Sequence, residues 1–343
     1  RFMNTNILII SSRSCGKKHV SYNTVLGLED EFSNCIGKEV LRFRRRFYYA
    51  NKILRRLHIP INISDIAIIK RINNTTEKVL FTAMGYSELE AFSATLKKCN
   101  DRLILYIFDY WESQWDEWEN IFAQINPWAI CFAYKKARNY FAELRNNCWF
   151  MPQSMDIRFF HDYEVEKSRL FIQMGRLTNK MHDIVISYLQ THNIENCYEN
   201  YVYERKQGEI VFPDSKQLAE EIARSYFFIA VPQNIENSAK TGDISETTAR
   251  YYEAMACKTL IICIKPKDSF DELFPYGGAM VEVDETNFNT AIEELLKDRN
   301  YYNNLVERNY RYVMQNHRWK NRYDSLIEMI KAAYDDTDFC YTR

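Results

Sequence analysis

Residues 245–264 read SETTARYYEAMACKTLIICI. The first part predicts a helix opening at Ser245, and the second a strand of almost pure Leu and Ile, with hardly a turn between them. On such a helix Glu246 and Glu253 lie two turns apart on nearly one face, at the mouth of the unit. Arg250 stands between them, one turn from each, where it can pair with either. A helix that feeds straight into a strand apolar on both sides is half of a β–α–β crossover, which points to a parallel sheet.

The same alternation runs along the whole chain. Short apolar runs predict strands at 6–11, 78–83, 102–108 and 128–133, then at 169–174, 226–231, 259–264 and 279–283. Amphipathic segments lie between them, such as 111–122, where Trp111, Trp115, Trp118 and Phe122 mark one face that reads as core. The two sets of strands are separated by the irregular stretch FMPQSMDIRFFHDYEVEKS at 150–168. This predicts an N-terminal domain over 1–155 and a second over 156–320, both doubly wound, with 321–343 as a helix crossing back to the first. From Thr286 onward the pattern is mostly helical, over 286–297, about 300–316 and about 319–334.

Composition narrows the class. The chain has 343 residues, 46% of them apolar, which supports two domains with cores of their own. Lys and Arg total 45 against 46 Asp and Glu, so no overall charge favours nucleic acid as a partner. Nine cysteines occur without a Cys-x-x-Cys pair, several inside apolar runs, as expected of reduced thiols in a cytosolic protein. No apolar run is long enough to span a membrane, and the first residues show no signal-peptide pattern.

Three stretches resemble one family. QMGRLTNK (173–180) resembles the strand–loop–helix entry of group 1 glycosyltransferases with the GT-B fold, and RYYEAMACKTLIIC (250–263) resembles their Arg-x-x-Glu-Ala-x-Ala-Cys-Gly signature. The segment DELFPYGGAMVEVDETNFNTAIEELLKD, followed by NHRWKNRYDSLIEMI (316–330), is similar to the tail of the spore-maturation-type subgroup. The resemblance covers roughly 169–330 and implies two Rossmann-like domains facing an interdomain cleft. It further implies transfer of a sugar from a nucleoside diphosphate sugar to a hydroxyl acceptor with retention at the anomeric carbon. Two positions depart from the pattern: six residues separate Glu246 from Glu253 where the family has seven, which puts Ser245 in strict register with the first glutamate, and Lys258 replaces the signature glycine.

The chemistry of such a donor matches these residue types. A carboxylate accepts both hydroxyls of a ribose diol at once, the role the resemblance implies for Glu253. A departing diphosphate needs cations and a helix N-terminus, which Arg176 and Lys180 supply at the start of a helix over 178–190, while Gly175 lets the backbone approach closely. Glu246, Thr247 and Thr248 are placed near the sugar, with Arg250 orienting the acids. An Asp-x-Asp metal motif occurs only in the acidic tail, at Asp336–Asp338, so neutralisation by Arg and Lys without a divalent ion is expected. His317, Trp319 and Arg322, in the family-like tail, read as structural.

In the N-terminal half, Asp109 ends the strand 102–108 as a polar partner or base, and Lys17, Lys18 and His19 in SSRSCGKKH are candidates for an anionic acceptor. The basic stretch RFRRRFYYANKILRR (42–56) interleaves cations with aromatics and reads as a peripheral contact with anionic lipid or a pyrophosphate-linked acceptor. The competing readings are an epimerase or hydrolase acting on a nucleotide sugar, and a non-catalytic sugar-nucleotide-binding module. Base selection is left to loops such as 203–213 and 232–243.

Overall fold

The computed structural model describes residues 6–13, 22–59, 61–175, 178–195, 198–200, 212, 214–235 and 238–340. They form two compact units, 1–153 with 319–343, and 154–318.

The first unit is built on six strands, β1 (Ile7–Ser11), β2 (Leu41–Arg42), β3 (Lys78–Ala83), β4 (Leu103–Ile107), β5 (Ala129–Phe132) and β6 (Cys148–Phe150), in the order β2-β1-β3-β4-β5-β6. Every pairing is parallel. Ile9, Leu80, Ile104 and Ala129 lie in one register across the centre. All residues of β3 and β4 are buried, as a sheet covered by helices on both faces requires. The helices are α1 (Asn23–Ile36), α2 (Arg45–Arg56), α3 (Ile66–Asn73), α4 (Tyr86–Leu96), α5 (Trp115–Ile125) and α6 (Lys135–Leu144). The helix expected over 111–122 begins only at Trp115, after a single 3-10 turn, yet Trp118 and Phe122 are buried as that face requires. β2 and β6 are edge strands too short to stand out as apolar runs.

The second unit holds β7 (Arg169–Gln173), β8 (Tyr198–Asn200), β9 (Ser225–Ala230), β10 (Leu260–Cys263) and β11 (Met280–Glu282), ordered β11-β10-β9-β7-β8 and again wholly parallel. Its helices are α7 (Asn179–Thr191), α8 (Ser215–Ala223), α9 (Ser238–Thr241), α10 (Ala249–Ala256), α11 (Phe270–Leu273), α12 (Phe288–Lys297) and α13 (Arg299–Asn316). One core joins Phe171, Phe227, Leu260 and Ile262 to Val185, Tyr188 and Phe288. The turn from α10 into β10 is closed by bonds from Lys258 N–H to Met255 O (3.1 Å) and Thr259 N–H to Ala254 O (3.0 Å), with Lys258 at φ 53°. That is the left-handed helix end which glycine adopts without strain. Here the Lys258 ammonium bridges Asp162 (2.7 Å) and Glu307 (2.9 Å), which offsets part of the cost.

The last helix, α14 (Trp319–Cys340), belongs to the first unit. Trp319 is buried against Phe108 and Tyr106, Tyr323 meets Phe32 edge-on at 5.3 Å, and Arg322 Nε donates to the carbonyl of Pro152 at 2.9 Å.

Candidate functional site

In a parallel sheet of this winding, ligands bind beyond the carboxyl ends of the strands, where the chain's winding direction reverses. In the second unit that point lies between β7 and β9, because the chain leaves β7 for β8 on one side and returns to β9 on the other. The residues that follow these strands are Met174–Gly175 and Val231–Gln233. Gly175 is exposed, has φ 91°, and has open space where a Cβ would sit. The backbone is therefore bare at the strand end, as close approach of a ligand requires.

The stretch after β9 returns to the same edge before α10 descends to feed β10. The structure corrects the expected helix start here. Residues 245–248 are not helical, and α10 opens at Ala249. The physical reason lies in the backbone donors. Ser245 N–H is taken by the Asp268 carboxylate at 2.6 Å and Glu246 N–H by Gln233 Oε1 at 3.0 Å. Both are thereby held in an extended loop by partners distant in sequence. Glu246 and Glu253 consequently do not share a helix face, and Glu246 is not the helical i,i+4 partner of Arg250.

Each carboxylate has its own setting. Glu246 is fully buried and accepts the Ser269 hydroxyl at 2.7 Å. Thr247 is buried beside the same hydroxyl at 3.5 Å, and Thr248 is half-buried at the cap of α10. Glu253 is 4% exposed and is ion-paired with Arg250. Burial raises its pKa above the usual carboxylate range; the neighbouring Arg250 guanidinium opposes that rise and Asp156 adds to it. Ser245, which stands where the family pattern has its first glutamate, is buried, and its hydroxyl oxygen accepts Lys267 N–H at 3.1 Å.

Lys180 stands in the first turn of α7, whose cap is Thr178, and pairs with Glu285 at 2.7 Å on the surface. Arg176 lies outside the described residues, as does most of the loop 203–213. Gln233 falls in the loop 232–243 to which base selection is left, but the sequence does not single it out. It is fully buried directly after β9; its Oε1 holds Glu246, and its Nε2 has no hydrogen-bond partner among the described residues. The one signal for it in the sequence is an amide next to a strand end.

The first unit has a corresponding reversal between β1 and β3. Here Glu88 accepts Met84 N–H at 2.6 Å and the Ser12 hydroxyl at 3.3 Å, while Glu29 accepts the Thr82 hydroxyl and pairs with Arg13 at 3.1 Å. Burial raises the pKa of both acids. Asp109 follows β4 and accepts the Tyr134 hydroxyl at 3.2 Å. Lys17, Lys18 and His19 lie outside the described residues. Glu29 had a signal, an acid in step with Val25, Leu28 and Phe32 on the apolar face of α1.

Comparison with known proteins bears on this architecture. A family model described as glycosyl transferase-like matches residues 190–328, the larger part of the second unit and the start of α14. No curated protein matches the chain in sequence. The chain is similar in structure to the N-terminal domain of Candida albicans trehalose-6-phosphate phosphatase, with a TM-score of 0.53 and 10% identity over 96% of this chain and 97% of that one. It is similar to OtsA in its apo form, with a TM-score of 0.52 and 10% identity over 94% and 99% of the two chains. A structure of accessory secretory protein 1, 2 and 3 in Streptococcus pneumoniae matches with a TM-score of 0.51 and 10% identity, over 78% of this chain and 56% of that chain. At such identity these likenesses speak to fold. The fold is GT-B, two Rossmann-like domains.

Proposed function

We propose that this protein is a glycosyltransferase that moves a sugar from a nucleoside diphosphate donor to a hydroxyl acceptor, with the donor held by the second unit and the acceptor by the first. The observation that carries the reading is the buried Glu253 of α10, paired with Arg250 and standing inside the segment matched by the glycosyl transferase-like model. A carboxylate kept out of water with a single cation retains acceptor capacity for the two hydroxyls of a ribose. Exposed Gly175 and the N-terminal end of α7, with Arg176 and Lys180, suit the diphosphate, whose growing negative charge they stabilise as the glycosidic bond breaks. This neutralisation by side chains is our reading of a metal-independent reaction. Retention at the anomeric carbon and kinship with the spore-maturation-type subgroup are the finer parts of the proposal, resting on the signature around Glu253 and on the tail after Asp271.

Thermal-shift titration with UDP, GDP, CDP and dTDP tests the donor half. One nucleotide class is expected to raise the unfolding temperature of the wild type and to do so far less for Glu253→Gln. A chain that responds to none of them, or a variant that responds like wild type, overturns the assignment. Incubation with donor alone separates transfer from epimerisation or hydrolysis, since a transferase turns over slowly without acceptor.

A further inference from the structure

We propose that the first unit carries a docking surface for an anionic lipid bilayer, formed by α2 and the isoleucine-rich segment that follows it. Among the described residues eleven large apolar side chains are exposed, and seven of these lie between Tyr49 and Ile66. Leu57, Ile61 and Ile66 are 63%, 62% and 63% exposed. Scattered single apolar residues are ordinary on a protein surface, but a contiguous cluster of this kind marks an interaction site.

The cluster is held in place by the fold. Asn51, buried on α2, donates from its amide to Ile63 O at 3.0 Å and accepts Ile63 N–H at 2.6 Å. Asn62 donates to Ser93 Oγ at 3.0 Å. In this extended stretch the polar Asn62 turns inward, so its neighbours Ile61 and Ile63 are left facing solvent. Cations crowd the helix that precedes the row. Arg45, Arg46, Lys52, Arg55 and Arg56 are all exposed on α2, and no acid occurs between Val40 and Ser64. Lys52 and Arg55, with Tyr48, Ile59 and Ile61, also line a cavity of about 250 Å³; Glu90 lines it too and pairs with Arg55, so Lys52 is the cation this cavity offers a phosphate.

The chemistry selects the occupant. An aliphatic row offers a partner no hydrogen bond, and acyl chains require none; the exposed cations of α2 match headgroup phosphates. No described helix is long and apolar enough to cross a membrane, and the contact proposed here lies at the interface. It stands independently of the donor chemistry.

Cosedimentation with lipid vesicles tests it without any sugar substrate. The full chain is expected to bind vesicles of phosphatidylcholine mixed with phosphatidylglycerol, to ignore phosphatidylcholine alone, and to release as salt is raised. Arg45→Gln and Arg46→Gln are each expected to lower partitioning about fivefold, the effect of one cation near an anionic surface. Ile61→Asp should abolish binding while leaving the unfolding temperature unchanged. Equal binding to both vesicle types, binding to neither, or variants that bind as wild type would overturn the proposal; binding to neither would leave the surface to an acidic protein.

Discussion

Glu253 and Glu246 look alike in the sequence and differ in the fold. Glu253 sits in the second turn of α10 with Arg250 as its cation, whereas Glu246 is locked into a loop by Ser269 and Gln233. Glu253→Gln keeps the volume and removes the charge, so transfer is expected to fall about a hundredfold, the scale of losing a charge-assisted contact to a reacting donor. Its signature in stability is separate. A carboxylate whose folded pKa is raised binds a proton that the unfolded chain releases, so its contribution to stability declines as pH climbs from the ordinary carboxylate value to the raised one. Urea unfolding of wild type across that acidic window should show this decline, and Glu253→Gln should flatten it. Equal slopes would argue that Glu253 is well solvated. The burial of Glu253 was legible because an acid inside YYEAMAC breaks an apolar run, whereas the partners of Glu246 lie 13 and 23 residues away and no local pattern announces them.

The helix-to-strand joint of α10 and β10 shows how a single element absorbs a departure from its family pattern. Lys258 occupies a left-handed conformation that costs a side-chain-bearing residue about 1–2 kcal/mol. Its ammonium lies between Asp162 and Glu307, a partly exposed pair of bridges that recovers a fraction of that cost. Replacement by alanine keeps the strain and loses the bridges; replacement by glycine loses the bridges and the strain together. Lys258→Gly is therefore expected to be more stable than Lys258→Ala by about 1 kcal/mol in denaturant unfolding of the second unit. A glycine variant no more stable than the alanine variant would mean that the turn relaxes away from its left-handed geometry. The strands themselves were legible because burial on both faces makes them blunt apolar runs. The start of α10 was not, since propensity favoured a helix from Ser245 while Asp268 and Gln233 captured the amides it needed.

The chain closes its first unit with residues that come last in the sequence. α14 seats Trp319 against Phe108 and Tyr106, and Arg322 bonds the carbonyl of Pro152. Trp319→Ala should cost the first unit about 3–5 kcal/mol, as truncation of a buried Trp does. Because the chain forms two compact units, unfolding need not be a single transition. Hydrogen exchange should therefore show lost protection in β3 and β4 with β9 and β10 unchanged; equal losses in both sheets would show that the two units unfold as one.

Periodicity alone determined the alternating architecture and eight of the eleven described strands, because these follow from which residues must leave water along one continuous segment, while Glu253 was read from its apolar surroundings and from the family resemblance. Tertiary structure decided the rest. It alone brought Gln233, Ser269 and Asp268 around residues 245–247, placed Glu29 and Glu88 beside the ends of β1 and β3, and gathered the isoleucines after α2 into an exposed row. Those arrangements depend on hydrogen bonds and contacts between residues far apart in the chain, and linear spacing carries no record of such partners.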